Sequence, residues 1–340
     1  MLKFSRRLFI TLAASAALAA CQGAPPASRG ASSSAAGVAS TSGALIPLKV
    51  AYTNIVAASG PQWVAKERGF FAKNGLDVTL ASLPSTAQIP ALMAGELQFA
   101  SIGPTELASA DLQGATVVAL ASSSDLPTFS LFAGKKYASV ADLAGETVGV
   151  TAIGSSSDAV AHLFLSKFGV LDKVKITAAG GTSTTILAAL KQGVIAGAIL
   201  AQPTGAATEA GFTELVNGVK LGVPFAQGDV IVTRAYAKDH PDTVKGFLRA
   251  YVEAWRYCAD PANRADMVKI FEKYTTADAK VSELGYDAQL PVWQLRKVPS
   301  VNLEAFRNTL SFGSDPKIKG IDPTQFFDNS FIDAVAAEQP

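Results

Sequence analysis

The stretch STAQIPALMAGELQFASIGPT, residues 85–105, is echoed about a hundred residues later by STTILAALKQGVIAGAILAQPT, residues 183–204. Both copies follow one plan. Ser85-Thr86 and Ser183-Thr184 open a helical pattern, and Gly95 and Gly193 close it. Apolar runs Phe99 to Ile102 and Gly197 to Ala201 follow, and Pro104-Thr105 and Pro203-Thr204 start a further helix, one residue out of step between the copies. The punctuation has a physical basis: Ser and Thr accept hydrogen bonds from free N–H groups at a helix start, Gly takes the left-handed position past its end, and Pro suits the first turn. A duplicated strand-helix unit predicts two lobes of similar construction.

Outward from these units, short β-branched runs alternate with helical patterns of about a dozen residues, the mark of an α/β fold, each lobe a mixed, mostly parallel sheet flanked by helices. The first lobe should hold strands at Leu48 to Tyr52, Asp77 to Ala81, Phe99 to Ile102 and Thr116 to Ala121. The second should hold Thr147 to Thr151, Lys175 to Ala178 and Gly197 to Ala201. Thr128 to Ala133 and Asp229 to Thr233 are expected to be the crossings between lobes, with hinges near Ala133 and Gly228. Phe247, Tyr251 and Trp255 recur at helical spacing and read as core. Asp322-Pro323 should start the last helix, with Phe326, Phe327 and Phe331 on its apolar face.

The chain has 340 residues, 49% of them apolar, ample for a real core. Its beginning reads differently. The apolar segment Leu8 to Ala20 follows Lys3, Arg6 and Arg7 and is shorter than the ~20 residues that cross a bilayer, so residues 1–20 are expected to be an export signal. Leu18-Ala19-Ala20-Cys21 resembles the lipobox of bacterial lipoproteins, which implies lipidation at Cys21. Ser5-Arg6-Arg7-Leu8-Phe9-Ile10 resembles a twin-arginine motif, although two arginines also meet the ordinary need for a basic start. Residues 21–47 are dominated by Gly, Ala, Ser and Pro and should form a tether, with a reach of roughly 25 to 30 Å. Removing Lys3, Arg6 and Arg7 leaves 26 basic against 28 acidic side chains, so no basic bias points to nucleic acid. With Cys21 lipidated, Cys258 has no partner for an internal disulfide.

The body of the chain resembles the solute-binding proteins of nitrate, sulfonate and taurine type ABC importers. The resemblance runs from Leu48 to about Ala334 and rests on Gln62-Trp63-Val64-Ala65-Lys66-Glu67-Arg68-Gly69-Phe70-Phe71, Asn74-Gly75-Leu76-Asp77-Val78, Ala91-Leu92 with Gly95, and Asp142-Leu143-Ala144-Gly145-Glu146-Thr147-Val148-Gly149-Val150. Gln98 and Ala196 depart from the Asp that relatives often carry there. The resemblance implies a two-lobed type II periplasmic binding fold, shared with thiamine-precursor binders. One lobe would comprise residues 48–133 and 228–340, the other residues 134–227.

It also implies a ligand between the lobes, held by loops at the C-terminal ends of strands and by helix N-termini. Gly154, Ser155, Ser156 and Ser157 follow a strand and open a helix, so their N–H groups and hydroxyls could cradle an oxyanion. Ser155 to Asp158 equally fits a capping box that needs no ligand. Asn54, Ile55 and Ser59, then Gly103, Pro104 and Thr105, then Ser122 and Ser123 would face Gly181, Thr182 and Gln202 from the second lobe. Ordinary turn and cap duty competes at each position. None of the set is Lys, Arg or His, which suits an anion held by amides and hydroxyls or a neutral polar solute alike. Asp158 or Asp229 could pair with an ammonium.

Catalytic chemistry is sparse. His162 lies in a helical pattern and reads as structural, His240 precedes Pro241 at a helix start, and Cys258 reads as small apolar filler. Neither histidine has metal-ligand spacing, and no nucleophile elbow or phosphate loop is present. The expectation is a monomeric, exported receptor without cofactor, anchored at the outer face of the cytoplasmic membrane. It would pass a small solute to an ABC permease and its ATPase; a ligand-sensing partner of a membrane signalling protein would share the same pocket.

Overall fold

The computed structural model describes residues 44–338 apart from Asn54 and Pro203. The expected signal, tether and lipidated Cys21 lie outside the described residues. Among the described residues ten strands form in chain order: β1 (Ile46–Tyr52), β2 (Leu76–Ser82), β3 (Ala100–Ile102), β4 (Val117–Ala121), β5 (Phe129–Ala133), β6 (Thr147–Val150), β7 (Lys175–Ala178), β8 (Gly197–Ala201), β9 (Thr213–Asn217) and β10 (Asp229–Thr233). In the first lobe β1 pairs with β2, a bridge between Val50 and Phe99 joins β1 to the β3 segment, and β10 lies between β3 and β4. The order is therefore β2-β1-β3-β10-β4. The second sheet runs β7-β6-β8-β5-β9. These are the same arrangement, so the repeat at 85–105 and 183–204 does mark two like-built lobes.

The sheets are mixed and mostly parallel, as expected, with one reversed strand in each: β10 is antiparallel to β3 and β4, and β5 is antiparallel to β8 and β9. These are the strands that arrive from the other lobe, and no crossover helix turns them into a parallel setting. Since β5 belongs entirely to the second sheet, Ala133 is interior to that lobe, and the connecting segments are residues 122–128 and 222–228. They run side by side: Ser124 and Gln227 form an antiparallel bridge, and the Ser123 hydroxyl donates to the Gln227 carbonyl at 2.7 Å.

The two strands that cross between lobes divide their side chains between two cores, as a period of two requires. In β10, Val230 and Val232 enter the core beneath the long helix Pro241–Ala259, whereas Ile231 enters the core on the opposite face. In β5, Leu131 and Ala133 face one way and Phe132 the other. Phe247, Tyr251 and Trp255 of the long helix are buried, and Phe247 stacks on Phe99 with ring centroids 3.9 Å apart.

Asp322-Pro323 opens a 3-10 turn, Pro323–Phe326, and not the final helix, which is Ser330–Glu338. The open edge of β4 draws the intervening residues straight: Phe327 bridges Ala119, and the Asp328 N–H donates to the Ala119 carbonyl at 2.9 Å. Among the described residues no helix is long and apolar enough to cross a membrane.

Candidate ligand site

A chamber of about 90 Å³ opens where the lobes meet. From the first lobe come Tyr52 and Thr53 at the end of β1, Ser59 and Gln62 at the start of helix Gly60–Glu67, and Gly103 and Glu106 at the start of helix Pro104–Leu112. The second lobe supplies Phe129, Thr151 and Ser155 to Ser157, and the connecting segments supply Ser123, Thr128, Gln227 and Gly228. The volume is well below the ~300–1,000 Å³ of sites for drug-sized ligands, so in this closed arrangement only a small group fits.

On the second-lobe wall three hydroxyls cluster. Thr151 Oγ1 lies 3.0 Å from Ser155 Oγ and 2.8 Å from Ser157 Oγ, and the two serines are 2.9 Å apart. Half of the expected capping box forms. Ser155 Oγ accepts the Asp158 N–H at 3.4 Å, whereas the Asp158 carboxylate accepts the N–H of Gly154, one residue before the cap, at 2.8 Å, and its other oxygen lies 3.5 Å from His162 Nδ1. Capping and chamber lining share this loop.

The lobes touch at Glu106. Its carboxylate accepts the Gly103 N–H at 2.9 Å, as an acidic residue in the first helical turn does, and across the interface accepts the Ser156 hydroxyl at 3.3 Å. Ser85 and the Ser156 backbone also bond to it, yet desolvation outweighs these bonds and pushes the Glu106 carboxyl above its ordinary range. The sequence reading missed Glu106. Its only signal was an acidic residue three positions after Gly103, which any capped helix offers. Two amides lining the chamber keep an atom without a partner inside the chain, Gln62 Oε1 and Gln227 Nε2.

Of the residues expected at the site, Ser59, Gly103, Ser123, Ser155, Ser156 and Ser157 line this chamber. Ile55, 49% exposed, lines a neighbouring chamber of about 480 Å³ walled by Leu187, Leu200, Phe271 and Val281. Val56 and Ala201 line both chambers. Gly154 faces an outer groove beside Ser314 and Asp315. Pro104 and Thr105 are buried behind the helix start, and Ser122 is buried with its hydroxyl donating to the Ser124 carbonyl at 3.1 Å. Thr182 caps helix Ser183–Lys191 through the Thr185 N–H, Gly181 is exposed, and Gln202 donates to Ser130 Oγ at 3.0 Å. Asn54 lies outside the described residues.

Asp229, at the start of β10, is fully buried, and neither carboxylate oxygen has a hydrogen-bond partner. Burial drives its pKa up to about 8, opposed by the neighbouring Ser122 hydroxyl and by Arg296, with Asp125 adding to the rise. Asp125 and Arg296 form a two-pronged ion pair at 2.7 and 2.9 Å between the first connecting segment and the C-terminal region. Cys258 is buried, and burial holds its thiol well above the usual range. Among the described residues no group of three or more His, Cys, Asp or Glu could hold a metal ion.

Two like-built lobes with paired crossings and a cavity between them define a periplasmic binding protein fold. The chain belongs to the NMT1/THI5-like family, whose model matches residues 57–265. Among solved structures it is similar to the periplasmic nitrate-binding protein NrtA from Synechocystis PCC 6803, with 13% identity, TM-score 0.70, and coverage of 87% of this chain and 89% of that one. The aliphatic sulphonate binding protein SsuA from Escherichia coli is 20% identical, with TM-score 0.65 and coverage of 83% and 97%. A desulfurization enzyme, DSZB, shares the fold at 16% identity and TM-score 0.63, covering 86% and 99%. No curated protein matches the chain.

Proposed function

We propose that this chain is the solute-binding receptor of an ABC importer, closing about a small organic or oxyanionic solute and presenting it to a permease. The observation that carries the reading is a chamber walled by both lobes and by both connecting segments. Contacts from both walls exist only when the lobes are together, so a ligand stabilises that state in proportion to its differential affinity. The resemblance to nitrate- and sulphonate-binding proteins supports the solute class. The larger apolar chamber beyond Val56 and Ala201 supports an organic solute whose polar group sits inside and whose apolar part extends outward. Small-angle scattering of the solute-free and loaded chain tests the closure, and an unchanged radius of gyration on saturation would sink it.

We further propose that the receptor works outside the cytoplasm as a monomer lipidated at Cys21, exported by the twin-arginine route or, with its arginines as an ordinary basic start, by general secretion. Metabolic labelling with a fatty acid, lost in Cys21→Ser, checks the anchor. DSZB raises an enzymatic alternative; against it, the buried Cys258 lies outside the chamber and Asp158 is bound to the Gly154 N–H at the helix start.

A further inference from the structure

Helix N-termini attract anions through free N–H groups and the helix dipole. At the start of helix Ser156–Lys167 that place is already taken by the protein itself. Glu106 reaches over from the first lobe and accepts both the hydroxyl and the backbone N–H of Ser156. An oxyanion entering the chamber would meet a carboxylate there, and among the described residues no Lys, Arg or His lines the chamber to offset it.

The groups left over are neutral and complementary. Gln227 Oε1 accepts the Thr128 N–H, which can only donate, so the amide orientation is fixed and its free Nε2 is a donor. Gln62 offers the free acceptor Oε1. Each residue is only 4% exposed, and a buried polar atom without a partner favours a ligand that supplies one.

Resting on the receptor reading above, we propose that the chamber selects an uncharged polar group of the amide or urea class. The ligand's carbonyl accepts from Gln227 Nε2, its N–H donates to Gln62 Oε1, and Glu106 acts as the specificity determinant that turns anions away. This narrows the organic or oxyanionic class to its uncharged side.

The test measures affinities of the stripped full-length chain for acetamide and N-methylurea against methanesulfonate and nitrate at matched ionic strength. The uncharged probes should bind at least ~10-fold more tightly, and Glu106→Gln should shift the ratio of methanesulfonate to N-methylurea affinity by at least ~10-fold toward the anion. Tighter binding of methanesulfonate or nitrate by the wild type, or an unmoved ratio in a folded Glu106→Gln, overturns the assignment. If that variant does not fold, the wild-type preference stands as its own test. Native mass spectrometry of the unstripped chain is the second: an uncharged co-purified solute supports the proposal, an anionic one overturns it, and no solute with no response to any probe also counts against it. Anion preference accompanied by compaction would defeat only the charge assignment. Binding without compaction would defeat the receptor mechanism and leave the measured charge preference in place.

Discussion

A Cβ added to Gly103 would stand 1.8 Å from Ser156 Oγ. The two residues belong to different lobes, so a glycine in the first lobe sets how closely the second can approach. Gly103→Val should prevent this approach or rotate the Ser156 hydroxyl away from Glu106. The expected outcome is a larger radius of gyration in the presence of solute than the wild type shows, with affinity weakened at least ~10-fold, about 1.4 kcal/mol. Wild-type compaction in Gly103→Val would refute the contact.

Asp229 makes stability depend on pH in a defined direction. Its folded pKa, about 8, lies above its ordinary value of 3.8, so the folded chain holds a proton that the unfolded chain releases. This contribution is fully present below about pH 4, declines as pH rises, and is gone above about pH 8. Between those limits the slope is at most about 1.4 kcal/mol per pH unit. Asp229→Asn should flatten that part of the stability curve, measured by urea unfolding at successive pH values. Parallel curves for the two proteins would show that Asp229 stays ionised.

Trp255 combines packing with two hydrogen bonds, its indole N–H pointing to the Trp293 carbonyl at 3.1 Å and the Arg296 carbonyl at 2.9 Å. Trp255→Ala should cost about 3–5 kcal/mol. Trp255→Phe keeps most of the volume but withdraws the donor, and should cost about 1–3 kcal/mol. A loss near zero in Trp255→Phe, read from denaturant midpoints, would mean that the indole N–H contributes nothing.

The apolar chamber is open to a size test. Ala206 lines it and is exposed, so Ala206→Trp should narrow it with little effect on the inner chamber. In a homologous series of ligands with one polar head, longer alkyl chains should lose more affinity than short ones. A uniform loss would place the apolar part elsewhere.

Why some features could be read from the sequence and others could not follows from the range of the forces involved. Helix starts and stops around Ser183 and Gly193 are local, so the repeat and the two-lobed plan were legible. Thr213 to Asn217 was not: only Val216 in that run is fully buried, and β9 has little apolar pattern of its own. The repeat still pointed to it, since β9 holds the sheet position that β4 holds in the other lobe. At helix starts the sequence gives the right loop but not the right face. Successive helical residues turn by about 100°, so Gly103 and Glu106 share the cleft side while Pro104 and Thr105 turn inward. Glu106 acquires its role only from Ser156, fifty positions along the chain, and no local pattern carries that.

The two borrowed strands have a consequence for how the chain matures. All five strands of the second sheet come from one unbroken segment, β5 to β9, so that half can assemble as soon as its residues exist. The first sheet is different: β3 and β4 meet only through β10, whose Val230 pairs with Ser101. The earlier-made half must therefore wait, incomplete, until the later-made half has been spun out and the chain has returned. The gap left for β10 keeps unsatisfied backbone and apolar surface available during synthesis. A truncation anywhere before Asp229 leaves the first lobe without the strand that joins β3 to β4.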